Sequence, residues 1–305
     1  MHTNCPNSDT RPRKAVRFRR RAVLAIGAAS ALMVAAVVQA AGMTPAAATT
    51  IPVGSIKVVE VASGFSAGAS KTVTAACPAS NPRVLGGGFT VVGTHIVVTQ
   101  LQPITGTTDS YRVSAQFDQV GTSATWQLLA FAYCSTAAPG WQLVTAVTPT
   151  NSDTFKTASA SCPGGKQVIG TGGRIDGGAG QVQLVSQSQG SFPSRMDAGG
   201  IEDVDGFAGS WSATAFAICV TTNNFTDVEQ VTDQTAIDNT VTKKVTVTCP
   251  SGYRLASSAI WADVPGNAIN LQPNNITPTF LTGTAHNDTD TTSAWDVIVY
   301  GICAR

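Results

Sequence analysis

The chain has 305 residues, enough for two or three domains, and is 43% hydrophobic but only 12% charged. Globular proteins usually carry about 25% charged residues, so Thr, Ser, Gln, Asn and Gly must supply most of the surface hydrogen bonding. The formal net charge of +1 hides an asymmetry: seven of the 19 basic residues lie within residues 1–48, leaving 12 basic and 17 acidic groups in the remainder. A body of that sign has no counter-charge for a phosphate backbone, which excludes nucleic acid as an expected partner.

Residues 1–48 have the layout of a secretory signal. Arg19-Arg20-Arg21 runs into an uncharged segment from Ala22 to Ala41, followed by Pro45 and Ala46-Ala47-Ala48. A positive end, an apolar core and small residues before the cut are what signal processing requires. Cleavage is expected after Ala48, with Ala40 as the second position. About 20 apolar residues also suffice to span a bilayer, so a membrane attachment is expected only if the segment stays uncleaved. Arg20-Arg21-Ala22-Val23-Leu24 resembles a twin-arginine signal, although paired cysteines are easier to oxidise after export by the general secretory route. Removal of the signal takes Cys5 with it and leaves six cysteines, the even count of an oxidised secreted protein.

Those six cysteines fall in register with an internal repeat. The chain reads Lys71…Cys77-Pro78…Trp126…Cys134, then Lys156…Cys162-Pro163…Trp211…Cys219, then Lys243…Cys249-Pro250…Trp295…Cys303. In each copy the Lys lies six residues before the first Cys and the Trp eight before the second. Self-similarity at a fixed period marks one structural unit used several times. The expected layout is a signal over 1–48 and three β units over 49–137, 138–222 and 223–305.

Each unit opens on a β-branched or apolar run: Ile56 to Val61, Trp141 to Val144, and Phe225 to Val231. A stretch ending at the first Cys follows, and it alternates in steps of two: Lys71, Val73, Ala75; Lys156, Ala158, Ala160; Lys243, Val245, Val247. That is a strand with one buried face. The closing stretch from Trp to Cys is apolar on both faces, as a central strand should be. Between them Val84-Leu85-Gly86-Gly87-Gly88-Phe89 matches Val168-Ile169-Gly170-Thr171-Gly172-Gly173 and, more loosely, Leu255 to Ile260. The expected fold is all-β, with three tandem antiparallel β-sandwich-like repeats of about six short strands each. No helix is read after Ala48. The joints between units are short, so close packing is expected, either as a closed pseudo-three-fold body or as a bent row.

Six cysteines allow 15 pairings, and the repeat selects Cys77–Cys134, Cys162–Cys219 and Cys249–Cys303. Removing one bridge is expected to unfold mainly the unit that holds it. A zinc site is not expected, since there is no Cys-x-x-Cys pair and no His recurs with the cysteines. No other metal and no cofactor is indicated.

Chemistry is harder to place. His95 and His286 occupy non-equivalent positions, and no serine sits in a Gly-x-Ser-x-Gly elbow. Carboxylates cluster in two loops, Glu202, Asp203 and Asp205 before Trp211, and Asp288 and Asp290 before Trp295. Paired carboxylates across a substrate would suit glycoside hydrolysis. Asp118, Asp203 and Asn287 each lie eight residues before their Trp, which fits an Asx-type turn as well as a ligand contact. The three recurrent lysines are expected at the solvent ends of strands, discouraging edge pairing, and the three recurrent tryptophans in the core. Only the unrepeated Trp141 and Trp261 are candidates for stacking on a sugar.

The pattern Cys-Pro-x-Gly…Val-x-Gly-Gly-Gly…Trp…Ala-x-Cys resembles modules of secreted actinobacterial proteins of unassigned function, over about residues 54–305. The second copy, with Cys162-Pro163-Gly164-Gly165, fits best. The first departs at Ala79-Ser80 and the third at Leu255-Ala256-Ser257-Ser258. The resemblance implies export and supports the same cysteine pairing, and it carries no catalytic residue. The expected function is that of a non-enzymatic extracellular protein working by surface binding, with a carbohydrate or cell-wall polymer as a possible ligand. The alternatives are a glycoside-type hydrolase built on loops 202–205 and 288–290, and a structural cell-envelope protein.

Overall fold

Ser70–Ala76, Phe155–Ser161 and Thr242–Thr248 are strands that alternate exposed and buried residues along their whole length. The computed structural model of the protein describes residues 55–136, 138–203, 205–222, 225, 227–263, 269–274, 277–287 and 294–305, with backbone alone at 185–191, 263 and 269–274. The expected signal with its cleavage positions, and Asp288 and Asp290, lie outside the described residues.

The described residues are all-β. The first six strands are β1 (Lys57–Ala62), β2 (Ser70–Ala76), β3 (Arg83–Val92), β4 (Ile96–Ile104), β5 (Ser110–Phe117) and β6 (Gln127–Ser135). The next are β7 (Gln142–Val147), β8 (Phe155–Ser161), β9 (Lys166–Asp176), β10 (Val182–Ser191), β11 (Arg195–Glu202) and β12 (Ser212–Thr221). The last are β13 (Val228–Gln234), β14 (Thr242–Thr248), β15 (Arg254–Asp263), β16 (Ile269–Asn274), β17 (Phe280–Asn287) and β18 (Asp296–Ala304). One expected boundary moves: the opening strand of the last set is Val228–Gln234 rather than Phe225 to Val231, and Phe225 is instead a buried core residue outside it.

Each set of six makes two antiparallel layers in one order. In the first set they are β1-β6-β3 and β2-β5-β4; β7-β12-β9 with β8-β11-β10, and β13-β18-β15 with β14-β17-β16, repeat it. The closing strands β6, β12 and β18 are central in their layers and nearly all buried, which is why both of their faces are apolar. Trp126, Trp211 and Trp295, just before them, are at most 1% exposed. The disulfides Cys77–Cys134, Cys162–Cys219 and Cys249–Cys303 tie the two layers of each set, with Cα separations of 5.6, 5.7 and 5.6 Å.

The sets meet cyclically. In the first junction β4 pairs with β9 through Gln100–Arg174 and Leu101–Gly173, fusing two layers into a six-stranded sheet. The equivalent strands also touch at the other two junctions, β10 against β15 and β16 against β3. The equivalent strands β3, β9 and β15 contact one another pairwise. Each carries a register shift at the same place, skipping Leu85, Ile169 and Ala256, all three fully buried. A bulge bends its strand and increases the local twist, and here it lets three strands crowd together. Backbone takes up most of the available space. A Cβ on Gly170 would lie 1.8 Å from the Leu85 carbonyl oxygen, and one on Gly86 would lie 2.5 Å from that of Ala256. Polar bonds cross the junctions as well: the Tyr111 hydroxyl donates to the Thr171 carbonyl (2.9 Å) and the Ser258 hydroxyl to the Gly87 carbonyl (3.0 Å).

This arrangement gives the molecule two unlike ends. In the first set Val92 pairs with Gln127, Ile96 with Phe117 and Ser70 with Gln116, so the β1–β2, β3–β4 and β5–β6 loops share one end. The disulfide lies at the other end, where Lys57 opens β1 opposite Cys134. The antiparallel pairing of β4 with β9 carries the same polarity into the second set. The matched contacts Gly86–Ser257 and Gly87–Ser258 carry it into the third. One end is therefore a loop pole and the other a disulfide pole.

Candidate functional site

The loop pole collects most of the residues that the sequence marks as chemically interesting. Its foundation is a recurrent seat for lysine. Lys71, Lys156 and Lys243 are buried at 8%, 6% and 4% exposure, which corrects the expectation that they cap strands at the solvent. Each follows the inward alternation of its strand and ends over its own tryptophan ring, at 4.7, 4.2 and 5.1 Å from the ring centre. Lys71 donates to the carbonyls of Trp126 and, at 3.0 Å, Gly64. Lys156 donates to those of Trp211 and, at 2.6 Å, Asn151. Lys243 reaches the Ala236 carbonyl at 2.8 Å and the Asp238 carboxylate at 2.5 Å. Burial pulls the Lys71 ammonium below its ordinary pKa, while ring face and carbonyls replace part of the lost hydration. Lys156→Met is expected to destabilise the protein by about 2 kcal/mol, because charged hydrogen bonds and the ring contact vanish together. Urea unfolding of the variant beside Lys166→Met, on the disulfide pole, checks it; equal midpoints would refute the seat.

The acidic loop before Trp211 divides its labour. Glu202 is 4% exposed; one carboxylate oxygen accepts from Trp211 Nε1 at 2.8 Å and the other from the Phe207 amide at 3.1 Å. It is a brace for the tryptophan, in the place where Trp126 Nε1 uses the Gly68 carbonyl (2.7 Å). Asp205 is exposed and accepts from Gln119 Nε2 of the first set at 2.6 Å. Gln181 Nε2 donates to Gln119 Oε1 at 2.8 Å and to the Gly206 carbonyl at 3.2 Å. Carboxamides and carboxylates from two sets thus form one polar seam. Asp203 lies in it, half-buried, and burial first, then the neighbouring Asp205, pushes its pKa up to about 7.

A carboxyl whose folded pKa lies above its unfolded value of about 3.9 binds a proton that the unfolded chain has already lost. Stability is therefore expected to fall as pH rises from about 4 to about 7, and to level off above that. Asp203→Asn removes the cost of ionising the group. Its melting temperature should exceed that of the parent at pH 8 and match it near pH 4. A variant with the parental pH slope would show that the slope arises elsewhere.

Asp118 behaves as the Asx-turn reading expects: its carboxylate accepts from the Val120 and Gly121 amides at 2.9 and 2.8 Å. Its other oxygen meets His95 Nδ1 at 3.0 Å, a pairing the sequence did not signal because the two lie 23 residues apart. Asn287 is buried at 2% and its backbone N–H donates to the Val241 carbonyl at 2.9 Å. Asp118, Asp203 and Asn287 therefore share the loop pole, each at the end of its own β5-type strand. Trp141 does not join them. It opens the second set at the disulfide pole, half-buried, and its Nε1 donates to the Val84 carbonyl of the first set at 2.8 Å. Trp261 is half-buried in β15, opposite Ile298.

Among the described residues no group of three or more His, Cys, Asp or Glu side chains is placed to hold a metal ion. No helix among them is long and apolar enough to cross a membrane. A hollow between Gly88, Phe89 and Leu101 of the first set and Ser258, Ile260 and Leu281 of the third has room for little more than a water molecule. Apolar exposure is uneven. All of the large hydrophobic residues exposed among those described lie at the loop pole or at the strand ends next to it, led by Val120 (71%), Ile237 (68%), Phe65 (61%) and Val147 (61%). No family model matches this chain, and no curated protein does.

Proposed function

We propose that this is a secreted, non-enzymatic protein that works by binding through its loop pole. The observation that carries the reading is the segregation of the two ends. Disulfides and the Trp141 anchor occupy one pole, while exposed apolar side chains and the Gln119–Gln181–Asp205 seam occupy the other. Loops carried on a rigid scaffold are where binding residues concentrate. The expected leader over 1–48 and the resemblance to modules of secreted actinobacterial proteins agree with action outside the cell. The hydrolase alternative is weakened by Glu202, whose two oxygens are already engaged by Trp211 and Phe207.

The mature protein, incubated with cell-envelope fractions, should be retained by at least one of them. The double variant Gln119→Ala/Asp205→Ala should lose that retention, and Arg254→Gln at the disulfide pole should keep it. Retention lost only with Arg254→Gln would refute the loop-pole reading. Sugar release from a polysaccharide panel, abolished by Glu202→Gln in a protein that remains folded, would replace binding by hydrolysis.

A further inference from the structure

The poles also differ in charge, although Asp227, exposed Glu229 and the pairs Arg83–Asp109 and Arg195–Asp197 put carboxylates at the disulfide pole too. Five strands that begin at the disulfide pole start on a basic residue: Lys57, Arg83, Lys166, Arg195 and Arg254. At the loop pole the exposed charged groups are mostly carboxylates: Asp153, Asp176, Asp205 and Asp233 are exposed, while half-buried Asp238 is paired with Lys243 and half-buried Asp203, its pKa pushed up to about 7, carries only part of a charge at neutral pH. Most of the opposing cations there are buried or paired. Lys71, Lys156 and Lys243 are withdrawn under their tryptophans, and Arg174 is paired with Asp176 at 2.8 Å. Exposed Lys244, near the start of β14, adds a single positive charge.

The geometry points to a cationic polypeptide with apolar side chains as the partner of the loop pole. This inference rests on the binding reading above and gives it a ligand class. Negative potential attracts a basic partner and raises its rate of encounter. The exposed Phe65, Val120, Val147, Phe155, Ile237 and Val241 supply apolar contact that a purely polar ligand would leave in water. They come from all three sets, so a partner that spans the pole gains from several loops at once. An anionic lipid surface would meet carboxylates of its own sign. A second copy stacked head to tail would bring basic groups from its disulfide pole, but no exposed large hydrophobic side chain is found there among the described residues. Neutral glycans would use the seam and leave most of the aliphatic side chains unmatched.

The test uses the full mature chain and a fluorescein-labelled amphipathic peptide of Lys and Leu, followed by anisotropy. Comparison peptides replace Leu by Ser, or Lys by Glu. Saturable binding of the Lys/Leu peptide is expected, weakening as salt screens the charges. It should fall about tenfold in Phe65→Ser/Ile237→Ser and again about tenfold in Asp153→Asn/Asp205→Asn. Equal binding of the Lys/Ser or Glu/Leu peptide, or equal binding by these variants, would overturn the inference. If the peptide fails to bind while Gln119→Ala/Asp205→Ala still abolishes retention on envelope fractions, the partner class is wrong and the loop-pole reading stands. If peptide binding is lost only with Lys57→Gln/Arg254→Gln, both are wrong.

Discussion

Gly170→Ala is expected to cost about 3 kcal/mol or more, the upper end of what a single added methyl costs in a packed core. The new Cβ would stand 1.8 Å from the Leu85 carbonyl oxygen and 2.8 Å from its carbon. Those are backbone atoms at a bulge of the neighbouring set, so no side-chain rotation relieves the clash. Space, and not backbone conformation, makes the glycine necessary, for Gly170 is not among the residues with positive φ. Relief would require β9 to withdraw from β3, loosening the junction that Tyr111 and the β4–β9 ladder also hold. Gly164 provides the control: a Cβ there meets nothing within 4 Å and its φ is not positive, so Gly164→Ala should stay within about 0.5 kcal/mol of the parent. Denaturant midpoints decide the matter, and equal midpoints for the two variants would refute the crowded three-strand junction.

The period-two reading succeeded wherever a strand has one wet and one dry face, and the two-sided apolar reading found β6, β12 and β18. It failed at Lys71, Lys156 and Lys243 although the signal was present. They share a face with Val73, Ala158 and Val245, and placing them at solvent ends sets their charge above that register. What admits the charge is a tryptophan face far along the chain, 55 residues from Lys71, invisible to a local window. Glu202 misled for the same reason: a buried brace and an exposed acid look identical in a run of carboxylates. Cyclic closure was not legible either. The choice between a ring and a row is made by β16 meeting β3, a contact between nearly opposite ends of the body. The glycine-rich stretch at Gly86 and Gly170 marked close backbone approach without naming the partner backbone.

Closure changes what loss of a disulfide should do. Cys162→Ala/Cys219→Ala is expected to cost 2–5 kcal/mol, the usual range for a native bridge, and the pair is removed together so that no buried thiol is stranded. The bridge ties β8 to β12 and hence the β8-β11-β10 layer to the β7-β12-β9 layer. Read from the repeat alone, its loss would melt the middle unit by itself. In the folded molecule β10 also touches β15 and β4, while β9 is hydrogen-bonded to β4 and crowds Leu85. The middle set cannot loosen without uncovering both neighbours. Burial lost at two junctions adds to the local cost, so unfolding should remain a single transition at a lower denaturant midpoint. Peptide-resolved hydrogen exchange should show β3, β10 and β15 losing protection together. A separate early transition confined to residues 142–221, with β3 and β15 still protected, would mean that the junctions are energetically weak despite their geometry.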